Sequence, residues 1–185
     1  MSYYFAIIGT QDNPLFEYEF GTSKQGGDGQ ARFSDQARPL NQFVLHSSLD
    51  VVEEVQWGNG QMYLKCVDRF FQNYVSCFVT GSNAKFLLLH QPTTAANAYM
   101  PGLSNTAGGM GSALSSSSAA SSSRASTAVG ANPTSAATEE AIKNFFVEVY
   151  ENWVKTAMSP FYKTNMEIRS PVFRARVAAA GKKYL

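Results

Sequence analysis

Few side chains in this sequence could do chemistry at neutral pH. His46 and His90 are its two histidines, and Cys66 and Cys77 its two cysteines. An imidazole near its ordinary pKa can act as general base or metal ligand, and a thiolate as nucleophile, but each needs partners at fixed spacing. His46 falls on the polar arc of a helical segment and His90 ends an apolar run, so both read as solvated or edge-satisfied side chains. No Cys-x-x-Cys or His-x-x-x-His pair gives these four residues zinc spacing. Gly108-Gly109-Met110-Gly111 superficially has the look of a phosphate-binding loop. Leu114, however, stands where a third glycine is required, no strand precedes the run and no lysine follows it. No catalytic group, cofactor or metal is therefore expected.

Charge points the same way. Lys+Arg 15 against Asp+Glu 14 leaves a net charge of +1, too small a field to draw the chain to nucleic acid or an anionic membrane, which leaves protein partners. The end of the chain is locally basic, with Lys163, Arg169, Arg174, Arg176, Lys182 and Lys183 against Glu167 alone after Pro160. Such cations can touch phospholipid headgroups at roughly 1 kcal/mol per well-placed charge. The plainer reading is a solvated helix whose cations suit its own C-terminal dipole. Both cysteines lie in strand-like runs, which favours buried thiols in a reducing compartment. The opening Met1-Ser2-Tyr3-Tyr4-Phe5 lacks a basic leader and a small-residue cleavage site, and Asn132 is followed by Pro133, so neither secretion nor N-glycosylation is expected. No apolar run approaches the about 20 residues of a membrane span, so any membrane contact is expected to be peripheral.

The elements that must position these residues follow from periodicity and turn chemistry. Tyr3 to Gly9 and Leu15 to Phe20 form a hairpin about the turn residues Gln11-Asp12-Asn13-Pro14. Gly21 to Ala37 lacks periodicity and reads as an exposed connection. Arg38 to Trp57 is helical, with apolar Leu40, Phe43, Val44, Val51 and Val55, and stops before Gly58-Asn59-Gly60. Met62 to Val67, Tyr74 to Thr80 and Lys85 to His90 form a three-stranded meander. From Gln91 to Thr138 the composition turns to Ser, Ala, Gly and Thr, too poor in large apolar residues to offset its ordering entropy, so 91–138 is expected to be a disordered insertion within a single domain spanning 1–185. Thr138 is the expected N-cap of a second helix running to about Met158, with a stripe of Ile142, Phe145, Phe146, Val149, Trp153 and Ala157 and a stop at Pro160. A last helix starts at Pro171 and carries Val172, Phe173 and Val177. The order is ββαβββαα, an α+β arrangement with helices covering an antiparallel sheet.

On the first helix, Leu40, Val44, Val51 and Val55 fall on one stripe that can face the sheet. Leu45, Leu49 and Val52 form a second stripe roughly 120° away. One sheet face is not expected to bury both, which leaves the second stripe either packed on another helix of the chain or exposed for a partner. Asp50 lies on the polar arc.

Phe5-Ala6-Ile7-Ile8-Gly9 with Asp12-Asn13-Pro14-Leu15-Phe16-Glu17, then Leu40-Asn41-Gln42-Phe43 with Leu49-Asp50, then Met62-Tyr63-Leu64-Lys65 with Val67-Asp68, follow one another along the chain. Ile142-Lys143-Asn144-Phe145-Phe146, Pro160-Phe161-Tyr162, Ile168-Arg169-Ser170 and Gly181-Lys182-Lys183 come after them. In that order these runs resemble the first hairpin, first helix, third strand, second helix and exit, and C-terminal pattern of the sedlin family, small subunits of the TRAPP trafficking complex. The long segment 91–138 and the Gly-rich first loop depart from the family. The resemblance implies a longin-like (profilin-like) fold, a five-stranded antiparallel sheet with one helix on one face and two C-terminal helices on the other. It further implies a non-catalytic adaptor that joins the core of the complex to larger subunits. The complex tethers vesicles between the ER and the Golgi and exchanges nucleotide on a Rab GTPase, so the chain would be cytoplasmic and peripheral to ER, intermediate-compartment and Golgi membranes. Asp50 would occupy the helix-1 aspartate used when larger subunits are recruited, with Leu45, Leu49 and Val52 as its apolar neighbours. The same architecture would also suit a small clathrin-adaptor chain or a SNARE longin domain, although a SNARE would continue into heptads and an anchor.

Overall fold

A computed structural model describes residues 2–21, 29–31, 33, 37–71, 73–90 and 135–185. Five strands, β1 (Ser2–Ile8), β2 (Pro14–Gly21), β3 (Tyr63–Phe70), β4 (Asn73–Val79) and β5 (Lys85–His90), form one antiparallel sheet in the order β2-β1-β5-β4-β3. The helices are α1 (Ala37–Ser47), α2 (Leu49–Gly58), α3 (Ala136–Ala157) and α4 (Pro171–Tyr184). The α+β, longin-like expectation holds. The expectation that 91–138 is disordered falls mostly outside the described residues, as does the Gly108–Gly111 run. Its last residues are helical, because the N-cap of α3 is Ser135, whose Oγ accepts from the backbone N–H of Thr138. The N-cap therefore lies three residues before the expected Thr138.

The central strands β1 and β5 are buried along almost their whole length, because helices cover both faces of the sheet. Alternate side chains serve different cores, as the period-2 geometry of a strand requires. Tyr3, Phe5 and Ile7 join Phe86, Leu88 and the α3–α4 layer. Tyr4, Ala6 and Ile8 join Leu87, Leu89 and the α1–α2 layer. The α3–α4 core is aromatic. Phe5 meets Phe145 edge-on at 5.3 Å between ring centroids, and Phe16 meets Phe173 at 5.0 Å. On the other face the core is aliphatic, with Val44, Leu45, Leu49 and Val52 on Leu64, Val75 and Cys77.

Both sheet edges are blunted. β3 carries irregularities between Tyr63 and Lys65 and between Cys66 and Asp68, with Lys65 at φ 64°. On β2, the chain itself covers two outward backbone groups: Ile168 N–H donates to Leu15 C=O at 2.8 Å, and Gly21 N–H to Gly29 C=O at 3.1 Å. Such devices disfavour edge-to-edge pairing. The β1–β2 turn is locked by Asn165, whose Oδ1 accepts from Thr10 N–H at 2.9 Å and whose carbonyl accepts from Asn13 Nδ2 at 3.1 Å. A Cβ at Gly9 would collide with the side-chain oxygens of Asn165 and Asn13, so a larger residue there would have to displace the lock.

The expected single helix from Arg38 to Trp57 is divided at Ser48. The buried Ser48 Oγ donates to Leu45 C=O at 2.7 Å, a local bond that competes with the helical ladder and bends it. The helical path is nevertheless carried through, since Ser48 N–H reaches Val44 C=O and Val52 N–H reaches Ser48 C=O at 3.1 and 3.0 Å.

Candidate functional site

The groups able to do chemistry are dispersed. Among the described residues no three His, Cys, Asp or Glu side chains gather as a metal site. Burial pushes the Cys66 thiol up to about 11 and raises Cys77 further, so neither offers a thiolate at neutral pH. His46 is exposed, with Nε2 3.1 Å from the Asp12 carbonyl. His90 corrects the expectation of an edge-satisfied side chain. β5 lies in the middle of the sheet, so its imidazole is 1% exposed between the rings of Tyr3 and Tyr74, and neither ring nitrogen has a hydrogen-bond partner among the described residues. Desolvation drives its pKa down to about 4. A neutral, enclosed ring of this kind is core material. The basic C-terminal cations are largely engaged within the chain: Arg169 with Glu167, Lys183 with Glu148, Arg176 with Asn152, and Arg174 over the Tyr18 ring. No helix among the described residues is long and apolar enough to cross a membrane.

What the fold does present is a helix face. The two stripes expected on the first helix are the flanks of one buried arc. Taking about 100° per residue, Asn41, Ser48 and Val52 lie at its centre, between Val44 and Leu45, with Leu49 at its rim. All six are buried. Two polar residues at the centre, Asn41 and Ser48, make one arc read as two stripes. Leu45, Leu49 and Val52 therefore pack on the sheet and are not available to a partner, while Leu40, expected to face the sheet, is 46% exposed.

Directly opposite that arc lie Phe43, Ser47, Asp50, Glu54 and Trp57, all exposed, within about 80° of one another on the same wheel. Phe43 and Trp57 are 63% and 86% exposed and stand about 21 Å apart at 1.5 Å per residue. Between them Asp50 and Glu54 supply carboxylates. Asp50 sits in the first turn of α2, and its carboxylate has no hydrogen-bond or ion-pair partner among the described residues. Phe43 and Trp57 could have been found from sequence by taking the face opposite the correct arc, but the misplaced arc hid them.

Polar links hold this face to the hairpin and the sheet. Gln42 Nε2 donates to Glu17 at 3.2 Å, and Glu17 also accepts from the Tyr4 hydroxyl at 2.8 Å. Arg38 pairs with Glu19 at 3.1 Å. Lys85, on β5, is 1% exposed and reaches both Asp12 on the turn and Glu53 on α2 at 3.3 Å. Strand patterning marked Lys85 only as the start of β5, whereas the fold makes it the tie between hairpin, sheet and helix. A buried ammonium held by two carboxylates fixes the position of α2, and with it that of Asp50.

Comparison with known proteins shows matches over almost the whole length. The family model described as sedlin matches residues 7–183. The transport protein particle 20 kDa subunit of Schizosaccharomyces pombe is 35% identical over 185 residues, covering 100% of both chains. A probable trafficking protein particle complex subunit 2 of Drosophila melanogaster is 32% identical, covering 100% of this chain and 97% of its own. Subunit 20 of the trafficking protein particle complex of Saccharomyces cerevisiae is 30% identical, covering 100% and 99%.

Proposed function

Since the chain belongs to the sedlin family, we propose that it is a non-catalytic subunit of a trafficking protein particle, joining the core of that complex to larger subunits. Its relatives carry the names of particle subunits, and the separation of its few reactive side chains suits assembly better than catalysis. Nucleotide exchange on a Rab GTPase would belong to the complex, with this chain contributing only as a scaffold. Its place would be the cytoplasmic side of ER, intermediate-compartment and Golgi membranes, held there through the complex.

The observation that carries the reading is the exposed face of α1 and α2: two aromatic side chains held out of the core around a carboxylate, Asp50, that has no partner among the described residues, on a helix pinned by Lys85. Exposed aromatics on a rigid support are the residues that dominate binding energy at interfaces, because little entropy is lost in fixing them. Phe43, Asp50 and Trp57 take the place of Leu45, Leu49 and Val52 as the proposed contacts.

The test is Asp50→Arg. Asp50 is exposed and has no partner among the described residues, so the variant should melt within about 0.5 kcal/mol of wild type, as most surface substitutions do. Recruitment of the larger particle subunits in a pull-down should fall at least about tenfold, or 1.4 kcal/mol. Unfolding of the variant would make Asp50 structural, and undiminished recruitment would move the interface elsewhere.

A further inference from the structure

The outward face of α1 and α2 has a regular spacing. Leu40, Phe43, Ser47, Asp50, Glu54 and Trp57 are all exposed and follow one another at alternating steps of three and four residues. That alternation is how a helix keeps one continuous seam turned toward a second helix laid along it. With Leu40, 46% exposed, the seam runs about 25 Å at 1.5 Å per residue. The bend at Ser48 leaves the spacing intact, since Ser48 keeps a right-handed helical backbone and its bonds to Val44 C=O and from Val52 N–H carry the path through.

Apolar side chains end this seam and charge fills its middle. Leu40 and Phe43 stand at one end and Trp57 at the other, with Asp50 and Glu54 between them. α2 carries Asp50, Glu53 and Glu54 and no lysine or arginine. Glu53 is neutralised by Lys85. Asp50 and Glu54 lie one turn apart on the same line, where like charges repel, and neither has an ion-pair or hydrogen-bond partner among the described residues. The cations beside the face are engaged elsewhere: Arg38 on Glu19 and Lys85 on Asp12 and Glu53, while the His46 ring holds the Asp12 carbonyl.

A second copy of the chain does not suit such a seam. A two-fold axis that laid the seam on itself would bring Phe43 and Trp57 together, but it would also set the two Asp50 carboxylates against each other with both Glu54 carboxylates one turn away. Four like charges at the centre of a contact oppose association, so the charge calls for an occupant of the opposite sign.

Resting on the reading that this face recruits another particle subunit, we propose that its occupant is a helix of that subunit, laid along α1 and α2, with lysine or arginine at the middle of its own seam and apolar residues about a heptad to either side. The cation sits between Asp50 and Glu54, and the apolar residues meet Phe43 and Leu40 at one end and Trp57 at the other. The aromatic ends supply affinity, and the central carboxylates choose the partner.

The test uses the assembled particle, purified through a tag on this chain, with the photo-crosslinker benzoylphenylalanine in place of Phe43 or, separately, of Trp57, so that each site stays aromatic. Both positions should link to one segment of another subunit, at points about fourteen residues apart if that segment is a helix. An extended segment would be linked at points only about six residues apart. Asp50→Asn combined with Glu54→Gln, an exposed and isosteric change, should reduce the linked subunit to about a tenth of its wild-type share. The loss caused by Asp50→Arg should be reversed by placing glutamate at the lysine or arginine between the two link points. The proposal is overturned by links at the extended spacing, by a linked segment without a cation between the points, by links only to an isotope-labelled second copy or to no other subunit, or by full recruitment with the neutral variant. The reading of the face is separately decided by Phe43→Ser combined with Trp57→Ser, both exposed sites: loss of the subunit upholds the face whatever its occupant, and retention of every subunit sinks the face and this proposal together.

Discussion

Acidifying the protein from pH 7 to pH 5 should cost it stability through one residue, His90. Its ring lies 1% exposed in the central strand, 6.2 Å from the Tyr3 ring and 6.2 Å from the Tyr74 ring. Burial lowers its pKa from 6.5 to about 4 because a charged imidazolium would lose its hydration there, a loss that the backbone of Leu88 only partly offsets. Between these values the unfolded chain takes up a proton that the folded chain refuses. The contribution of the neutral ring is thus intact above about pH 6.5 and is lost as the pH falls toward about 4. Each pH unit in that interval is worth about 1.4 kcal/mol, so the ceiling is about 3 kcal/mol and the loss between pH 7 and pH 5 about 2 kcal/mol. Urea unfolding of wild type and His90→Phe at pH 7, 6 and 5 isolates the effect, since the carboxylates common to both cancel. The variant should gain about 2 kcal/mol on wild type over that range. A stability difference that stays constant with pH would refute the reasoning, because it would mean that His90 titrates alike in the folded and unfolded chain.

Lys85→Met should change stability by less than about 1 kcal/mol, because it removes the one buried charge and the carboxylates it leaves, Asp12 and Glu53, are half-exposed and stay hydrated. Asp12→Ala with Glu53→Ala should instead cost about 2 kcal/mol by leaving the buried ammonium unpaired, less than for a fully buried pair because both carboxylates are half-exposed; urea titrations of the two variants would show the contrast or its absence. Phe145→Ala should cost about 3–5 kcal/mol, since its ring packs at 5.3 Å on Phe5 and 5.5 Å on Phe20 in the aromatic core. A loss below 1 kcal/mol in thermal or urea unfolding would show that the site collapses around the cavity. Replacing residues 91–134 with a Gly/Ser linker long enough to join His90 to Ser135 should leave the melting temperature nearly unchanged, since closure entropy changes by only about 0.6 kcal/mol per doubling of loop length. A fall of many degrees would mean that the segment packs on the core.

Local signals in the sequence were sufficient wherever a short-range rule governs. The turn at Gln11-Asp12-Asn13-Pro14 and the strand at Lys85 to His90 depend on propensities that act over a few residues; the strand appears at the expected place and the turn one residue shorter, because β2 begins at Pro14. The start of α4 at Pro171 is equally local, since proline suits the first helical position after the Ser170 cap. The α3 stripe was legible through Trp153 because its buried face is almost wholly apolar. Only the tertiary structure decided which face of the first helix is buried. Asn41 and Ser48 sit at the centre of the buried arc, so hydrophobicity alone divided that arc into two stripes and assigned Leu45, Leu49 and Val52 to the wrong side. Lys85 and His90 were misjudged for a related reason. Whether a strand end is solvated depends on which strands lie beside it, and β5 takes its place between β1 and β4 through pairings with residues 73–79 and 2–8 that no local pattern encodes. The face proposed for a partner shares that dependence: Phe43 and Trp57 are large apolar residues within a helical segment, and only the packing of the rest of the chain leaves them outside.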